Sequence, residues 1–190
     1  AILPVLLWDS PGAPPPGYQD IAIPSAAAGN APVSVKFHPV DPSTLQKLPV
    51  PQVQFRMNQG SATRAPWIDS NGWQFHRAPD KAYLYEVDAN AAPLADAAAF
   101  AFGVRAYVRT DAAGAAAMAP MLEFLKDHDR TRLPARANIA FVDDGSDRAG
   151  EVMNLMIRRN LLFRTLSAGG GPVDLTVRLG SPDYPAEGAA

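Results

Sequence analysis

The chain has 190 residues, enough to bury a substantial core in one large domain or in one domain with an extension. It contains no cysteine, which excludes disulfides, thiolate metal sites and a cysteine nucleophile, and its 17 basic and 19 acidic residues give a formal net charge of -2. The basic residues are scattered apart from Arg130, Arg132 and the Arg158-Arg159 pair, so no basic stripe marks a nucleic-acid surface, and no apolar run reaches the roughly 20 residues of a membrane-spanning helix.

The first residue is Ala1, as after removal of a leader behind a small residue, which favours an exported protein, periplasmic or extracellular. Residues 2–8 are apolar and read as a buried strand whose Pro4 confines it to the beginning or edge of a sheet. A stiff proline-glycine loop follows over residues 11–17. Residues 33–37 and 53–57 alternate apolar and polar as half-buried strands do, with a proline-punctuated connector over 39–51 between them. Residues 1–64 therefore read as an irregular, proline-rich, β-containing N-terminal third packed onto something else.

The most aromatic window spans residues 65–76. Asn71-Gly72 is a tight-turn signal, which predicts a hairpin between Trp67 and Trp73. Two tryptophans around a polar turn with Asp69 and Asn71 suit a glycan: flat faces for sugar rings, planar polar groups for hydroxyls. The plainer reading is two core tryptophans and an Asx turn.

From residue 81 the texture is regular. Residues 83–87 read as a strand, 91–102 as an alanine-rich helix closed by Gly103, 104–109 as a strand and 112–127 as a helix started or kinked by Pro120. Residues 139–142 are β-branched and aromatic, Gly145 and Ser146 break the run, and Val152, Leu155 and Met156 recur at helical spacing before a further strand over 161–165 and another over 173–179. Residues 65–190 thus predict an α/β domain: a mainly parallel sheet with flanking helices, flavodoxin-like or a partial barrel.

Three of these strands end in acid, at Asp88, Asp111 and Asp143-Asp144, which would gather carboxylates on one rim of a single parallel sheet. Asp88 and Asp111 read as helix N-caps. Ser146 or Asp147 can cap the helix after Asp144, which leaves one acid of the pair without a structural task. Asp143, Asp144 and Glu151 are then the candidates for general acid/base work.

No metal or cofactor is expected. His38, His76 and His128 lack ligand spacing, no Gly-x-Ser-x-Gly elbow occurs, and the 169–171 glycine run leads into Pro172 and a strand rather than a helix N-terminus.

The stretch Phe141-Val142-Asp143-Asp144 resembles the first strand and acidic pair of a response-regulator receiver. Arg178 and Leu179 occupy the place of its phosphoacceptor, and no lysine follows Lys126, so phosphotransfer is excluded. Residues 65–180 resemble uncharacterised bacterial glycoside-hydrolase-related proteins, in which a barrel-like α/β portion adjoins a flavodoxin-like domain of the family 42 β-galactosidase type. The residues carrying this are Trp67-Ile68-Asp69-Ser70-Asn71-Gly72-Trp73, then Phe100-Ala101-Phe102-Gly103, and Asp143-Asp144-Gly145-Ser146 with Gly150, Glu151 and Asn154. The resemblance implies a carbohydrate-related protein, a divergent or incomplete glycoside hydrolase, with a glycan as partner. Trp67, Asp69, Asn71 and Trp73 would bind it. The alternative is a non-catalytic structural or interaction subunit of a larger exported or membrane-associated assembly, with a protein partner on the proline-rich N-terminal third.

Overall fold

A computed structural model of the chain describes residues 2–18, 20–25, 37–54, 67–128, 137–166 and 173–180. In chain order these form β1 (Val5–Leu7), β2 (Ile21–Pro24), β3 (Phe37–Val40), a 3-10 turn (Pro42–Thr44), β4 (Gln46–Leu48), β5 (Gln52–Gln54), β6 (Trp67–Asp69) and α1 (Gly72–Arg77). There follow β7 (Ala82–Glu86), α2 (Ala92–Phe102), β8 (Arg105–Arg109), α3 (Ala112–Asp127), β9 (Ile139–Val142), α4 (Asp147–Arg158), β10 (Phe163–Leu166) and β11 (Leu175–Val177). This is the expected α/β architecture, a mainly parallel sheet with flanking helices.

Six strands pair in the order β3-β2-β1-β8-β7-β4, every pair parallel. Alternation along the strands sends Leu6, Ile21, Tyr83, Tyr85, Ala106 and Val108 to one face, where Ala92, Ala95 and Ala99 of α2 and Ala115 and Met118 of α3 pack on them. The alanines let these helices lie close to the sheet. On the other face Leu7, Ala22 and Leu84 form a second cluster with Val5, Val40, Leu45 and Tyr107 against it.

That second cluster needs no helix because the sheet curls. A flat six-stranded sheet would separate β3 from β4 by five spacings of about 4.8 Å, about 24 Å. The connection between Val40 and Gln46 reaches at most about 21 Å even fully extended, and it contains a 3-10 turn. The strand order is cyclic in sequence, with first and last strands β1 and β8 paired, so the sheet is a partial barrel.

β9, β10 and β11 form a separate parallel sheet in the order β10-β9-β11, the order in which flavodoxin-like sheets begin. Phe141, Met153, Met156 and Phe163 make its core beneath α4. The third sheet is the antiparallel pair β5-β6.

Several expectations are corrected. The pairings of β1 with β8 and of β4 with β7 cross the boundary expected at residue 64/65, so the N-terminal strands are integral to the sheet. The 39–51 connector contains the end of β3 and all of β4. Pro4 lies just ahead of β1, where its missing N–H removes no ladder bond, and β1 sits in mid-sheet. The hairpin at Asn71-Gly72 is instead the start of α1, with Asn71 at φ -83° as its N-cap. β9 belongs to a different sheet from β7 and β8, so Asp143 and Asp144 do not share a rim with Asp88 and Asp111. The strand expected over 33–37, apart from Phe37, and the glycine run 169–171 lie outside the described residues, as do 55–57 of the strand expected there.

Helix α1 joins the two cores. Its Phe75 is buried in the barrel core, 5.0 Å from the Tyr83 ring and 5.5 Å from Phe102. From the same helix Trp73 packs against the α4 core and His76 stacks on Phe163 at 4.4 Å.

Candidate functional site

The loop between β9 and α4 is built by short-range hydrogen bonds. Ser146 caps α4, its hydroxyl accepting from Ala149 N at 3.1 Å, and Asp144 accepts from Ser146 N at 2.9 Å. Asp143 accepts from Gly145 N at 3.0 Å, and Gly145 takes φ 79°, which a residue with a side chain rarely adopts. Asp111 performs the expected capping, accepting from Gly114 N at 2.8 Å, whereas the N-cap of α2 is Ala91 without a side-chain cap and Asp88 accepts from Asn90 and Ala91 N at 3.0 Å in the turn ahead of it.

Beyond its loop contact with Gly145, Asp143 has a partner from α1. Arg77 donates through Nε to Oδ2 and through a terminal nitrogen to Oδ1, both at 2.8 Å, and the same nitrogen reaches Ser146 O at 2.9 Å. The Arg77 guanidinium holds the Asp143 carboxyl below its usual value, and hydrogen bonding from Ser146 does the same for Asp144. A general acid at neutral pH needs the opposite shift. Both side chains therefore have structural work, and both are kept ionised.

Arg77 also lies over the Trp73 indole, 5.3 Å from its centroid. Gly150 lets α4 approach that ring: a Cβ there would stand 3.0 Å from Trp73 Cζ3. Trp73, half-buried, then lines a cavity of about 300 Å³ with Asp147, Gly150, Glu151 and Asn154. Of the residues singled out from the sequence, this cavity brings Trp73 and Glu151 together.

The others have separate places. Asp69 accepts from Gln54 at 3.0 Å across the β5-β6 pair. Asn71 is buried and donates to Pro49 O at 2.9 Å and to the Tyr85 hydroxyl at 3.3 Å, which fixes the start of α1. Trp67 lies in β6, and its side chain is outside the described set.

The barrel sheet carries charge that sequence reasoning left unconnected. At the C-terminal strand ends Arg109 pairs with Asp9 at 3.0 Å and with Glu86 at 2.8 Å, and Glu86 also pairs with Lys47. This rim is where α/β barrels place ligands. Here two acids and two bases neutralise each other in a line across β1, β8, β7 and β4. The strand ends at Glu86 and Arg109 were legible in the sequence, but their adjacency to Asp9 and Lys47 was not.

Among the described residues no helix is long and apolar enough to cross a membrane, and no group of three or more His, Asp or Glu could hold a metal ion. Compared with known proteins, the chain matches no family model, no curated protein and no solved structure.

Proposed function

We propose that the chain is a carbohydrate-related α/β protein, an incomplete relative of glycoside hydrolases that binds a glycan and does not cleave it. The observation that carries this reading is the half-buried Trp73 in a cavity with Asp147, Glu151 and Asn154. An indole face receives the apolar face of a sugar ring, two carboxylates accept from hydroxyls, and an amide both donates and accepts. Arg77 lies over the indole and Gly150 of α4 stands close to its Cζ3 edge, so a sugar would meet the part of the ring that lines the cavity. Asp143 and Asp144, whose carboxyls are committed to Arg77 and to the loop amides, support binding without hydrolysis.

The interaction-subunit reading loses its motive, since β1 to β4 are committed to the sheet. Titration of a sugar panel followed by tryptophan fluorescence tests the glycan reading. Binding should weaken at least about tenfold in Glu151→Ala or Asn154→Ala, each of which removes one hydrogen-bonding group from the cavity. If no sugar alters the fluorescence, or both variants bind as the parent does, the reading is wrong.

A further inference from the structure

A cavity of about 270 Å³ opens at the N-terminal end of the barrel sheet, opposite the end that carries Asp9, Arg109 and Glu86. Three segments meet there. Leu3 and Val5 flank the start of β1, Tyr18 and Asp20 lie just ahead of β2, and Ala119, Leu122 and Lys126 come from the second half of α3. Pro4 and Gly17 complete the described wall.

The wall is held from behind. Tyr18 and Leu122 pack on the barrel core, Val5 packs on the second cluster, and the Tyr18 hydroxyl donates to Ala115 O of α3. With that donor engaged, the groups left to meet a polar ligand are one anion, Asp20, and one cation, Lys126, among the described residues. Both can take a further partner. Asp20 meets His38 Nδ1 at 3.0 Å through Oδ1, and a carboxylate has lone pairs for more than one donor. Lys126 meets Glu123 at 2.9 Å, an i,i+3 pair at the surface, and an ammonium has three protons to donate.

A ligand of single charge would satisfy one of these groups and turn an apolar part or a like charge to the other. A ligand with both signs on adjacent atoms answers both, and its apolar remainder leaves water against Leu3, Val5 and Leu122. The volume lies at the small end of ligand sites, which suits one small molecule and excludes a peptide or a sugar chain.

We propose that this cavity binds a free amino acid with an apolar side chain, its ammonium on Asp20, its carboxylate on Lys126 and its side chain against Leu3, Val5 and Leu122. The site is separate from the Trp73 cavity and does not rest on the glycan reading. It lies away from the rim where barrels carry out chemistry, so it is a site of binding and not of turnover.

Calorimetric titration of the whole chain with leucine and with phenylalanine tests this, each beside its decarboxylated and deaminated analogues. These are 3-methylbutylamine and 4-methylpentanoate for the first, 2-phenylethylamine and 3-phenylpropanoate for the second. At least one of the amino acids should bind, and at least about tenfold tighter than both of its analogues, each of which lacks one charge-assisted contact. Lys126→Met should remove the advantage over the amine, and Asp20→Ala the advantage over the acid. Ala119→Phe, which fills the cavity from α3, should abolish binding. Binding of neither amino acid, an analogue that binds as tightly as its parent, or advantages that survive all three substitutions overturn the proposal. The comparison among ligands uses the unaltered chain, so it decides the matter whether or not the variants fold.

Discussion

Asp96 is the residue at which this protein departs furthest from ordinary burial rules. It lies in the buried face of α2 at 0% exposure, and neither carboxylate oxygen has a hydrogen-bond partner among the described residues. Desolvation pushes its pKa up to about 8 from the usual 3.8. A carboxyl raised in the folded state is protonated there more readily than in the unfolded chain. Its stability contribution is therefore complete below about pH 3.8 and declines as pH rises, by about 1.4 kcal/mol per unit, until the folded value is passed. Asp96→Asn should remove this decline, so the variant should gain a few kcal/mol over the parent near pH 7 and little near pH 4. Denaturant midpoints at the two pH values decide it; an equal gain at both would mean that Asp96 is ionised in the fold. Asp143 carries the opposite sign, because Arg77 lowers its pKa. Its contribution is present above about 3.8, the unfolded value, and is lost as pH falls below it. Breaking the pair with Arg77→Met should cost about 1–3 kcal/mol at pH 7, from the half-buried carboxylate left without its two donors. A double-mutant cycle with Asp143→Asn measures the coupling, and additivity of the two changes would show the pair to be incidental.

The elements show why some of this was legible and some was not. The caps at Asp111 and Gly103 are legible, and that of α4 is narrowed to Ser146 or Asp147, because each is settled within a few residues of chain: a side chain accepting three residues ahead, or a glycine at φ 66° ending α2. Gly72 was misread for an instructive reason. Next to an asparagine it signals a turn, yet its value here is its missing Cβ, which would stand 2.3 Å from Phe102 Cζ, 30 residues away. The Arg77-Asp143 pair spans 66 residues and leaves no local trace at all. β2 and β4 were hidden by Pro24, Pro39, Pro42 and Pro49, which lie within or beside short strands and break the alternation that would reveal them. Gly114 resembles Gly72 in kind, since a Cβ there would fall 1.8 Å from Thr110 Oγ1, where α3 meets the end of β8. Gly114→Ala should therefore destabilise by about 1–3 kcal/mol despite the better helix propensity of alanine. Thr110→Ala should restore part of that loss: it removes the Oγ1 and Cγ2 contacts, although Thr110 Cβ would still stand 2.9 Å from the new methyl, and the buried hydroxyl has no hydrogen-bond partner among the described residues, so its removal costs little. Thermal melts of the two single variants and the double variant test this; no rescue would place the strain in the α3 backbone rather than against Thr110.

At the scale of the molecule, the barrel sheet and the β10-β9-β11 sheet have separate cores, and among the described residues one short helix contributes to both. Six residues of α1 contribute Phe75 to one core and Trp73 to the other, clamp the β9-α4 loop through Arg77, and place His76 between Phe102 and Phe163 at 5.6 and 4.4 Å. A six-residue helix is too short to hold itself, so its geometry is imposed by these contacts. His76 makes the union sensitive to acid. Burial lowers its pKa from 6.5, and the described ion pairs give it no carboxylate to receive a proton's charge. The neutral ring is favoured in the folded state, so its contribution is complete above about pH 6.5 and is lost as pH falls from there towards the depressed folded value. His76→Phe keeps an aromatic between Phe102 and Phe163 and removes the titration. The parent should therefore lose stability relative to this variant between pH 7.5 and pH 5.5. The loss should fall on the interface between the cores, so that an unfolding curve with one transition at pH 7.5 separates into two at pH 5.5 in the parent alone. The comparison isolates His76 because every other group titrates in both proteins. Denaturant curves followed by tryptophan fluorescence and by far-ultraviolet dichroism provide the measurement. Parallel behaviour of parent and variant across that range would mean that the two cores are joined by contacts other than this ring stack, with the Arg77 clamp to Asp143 the next to test.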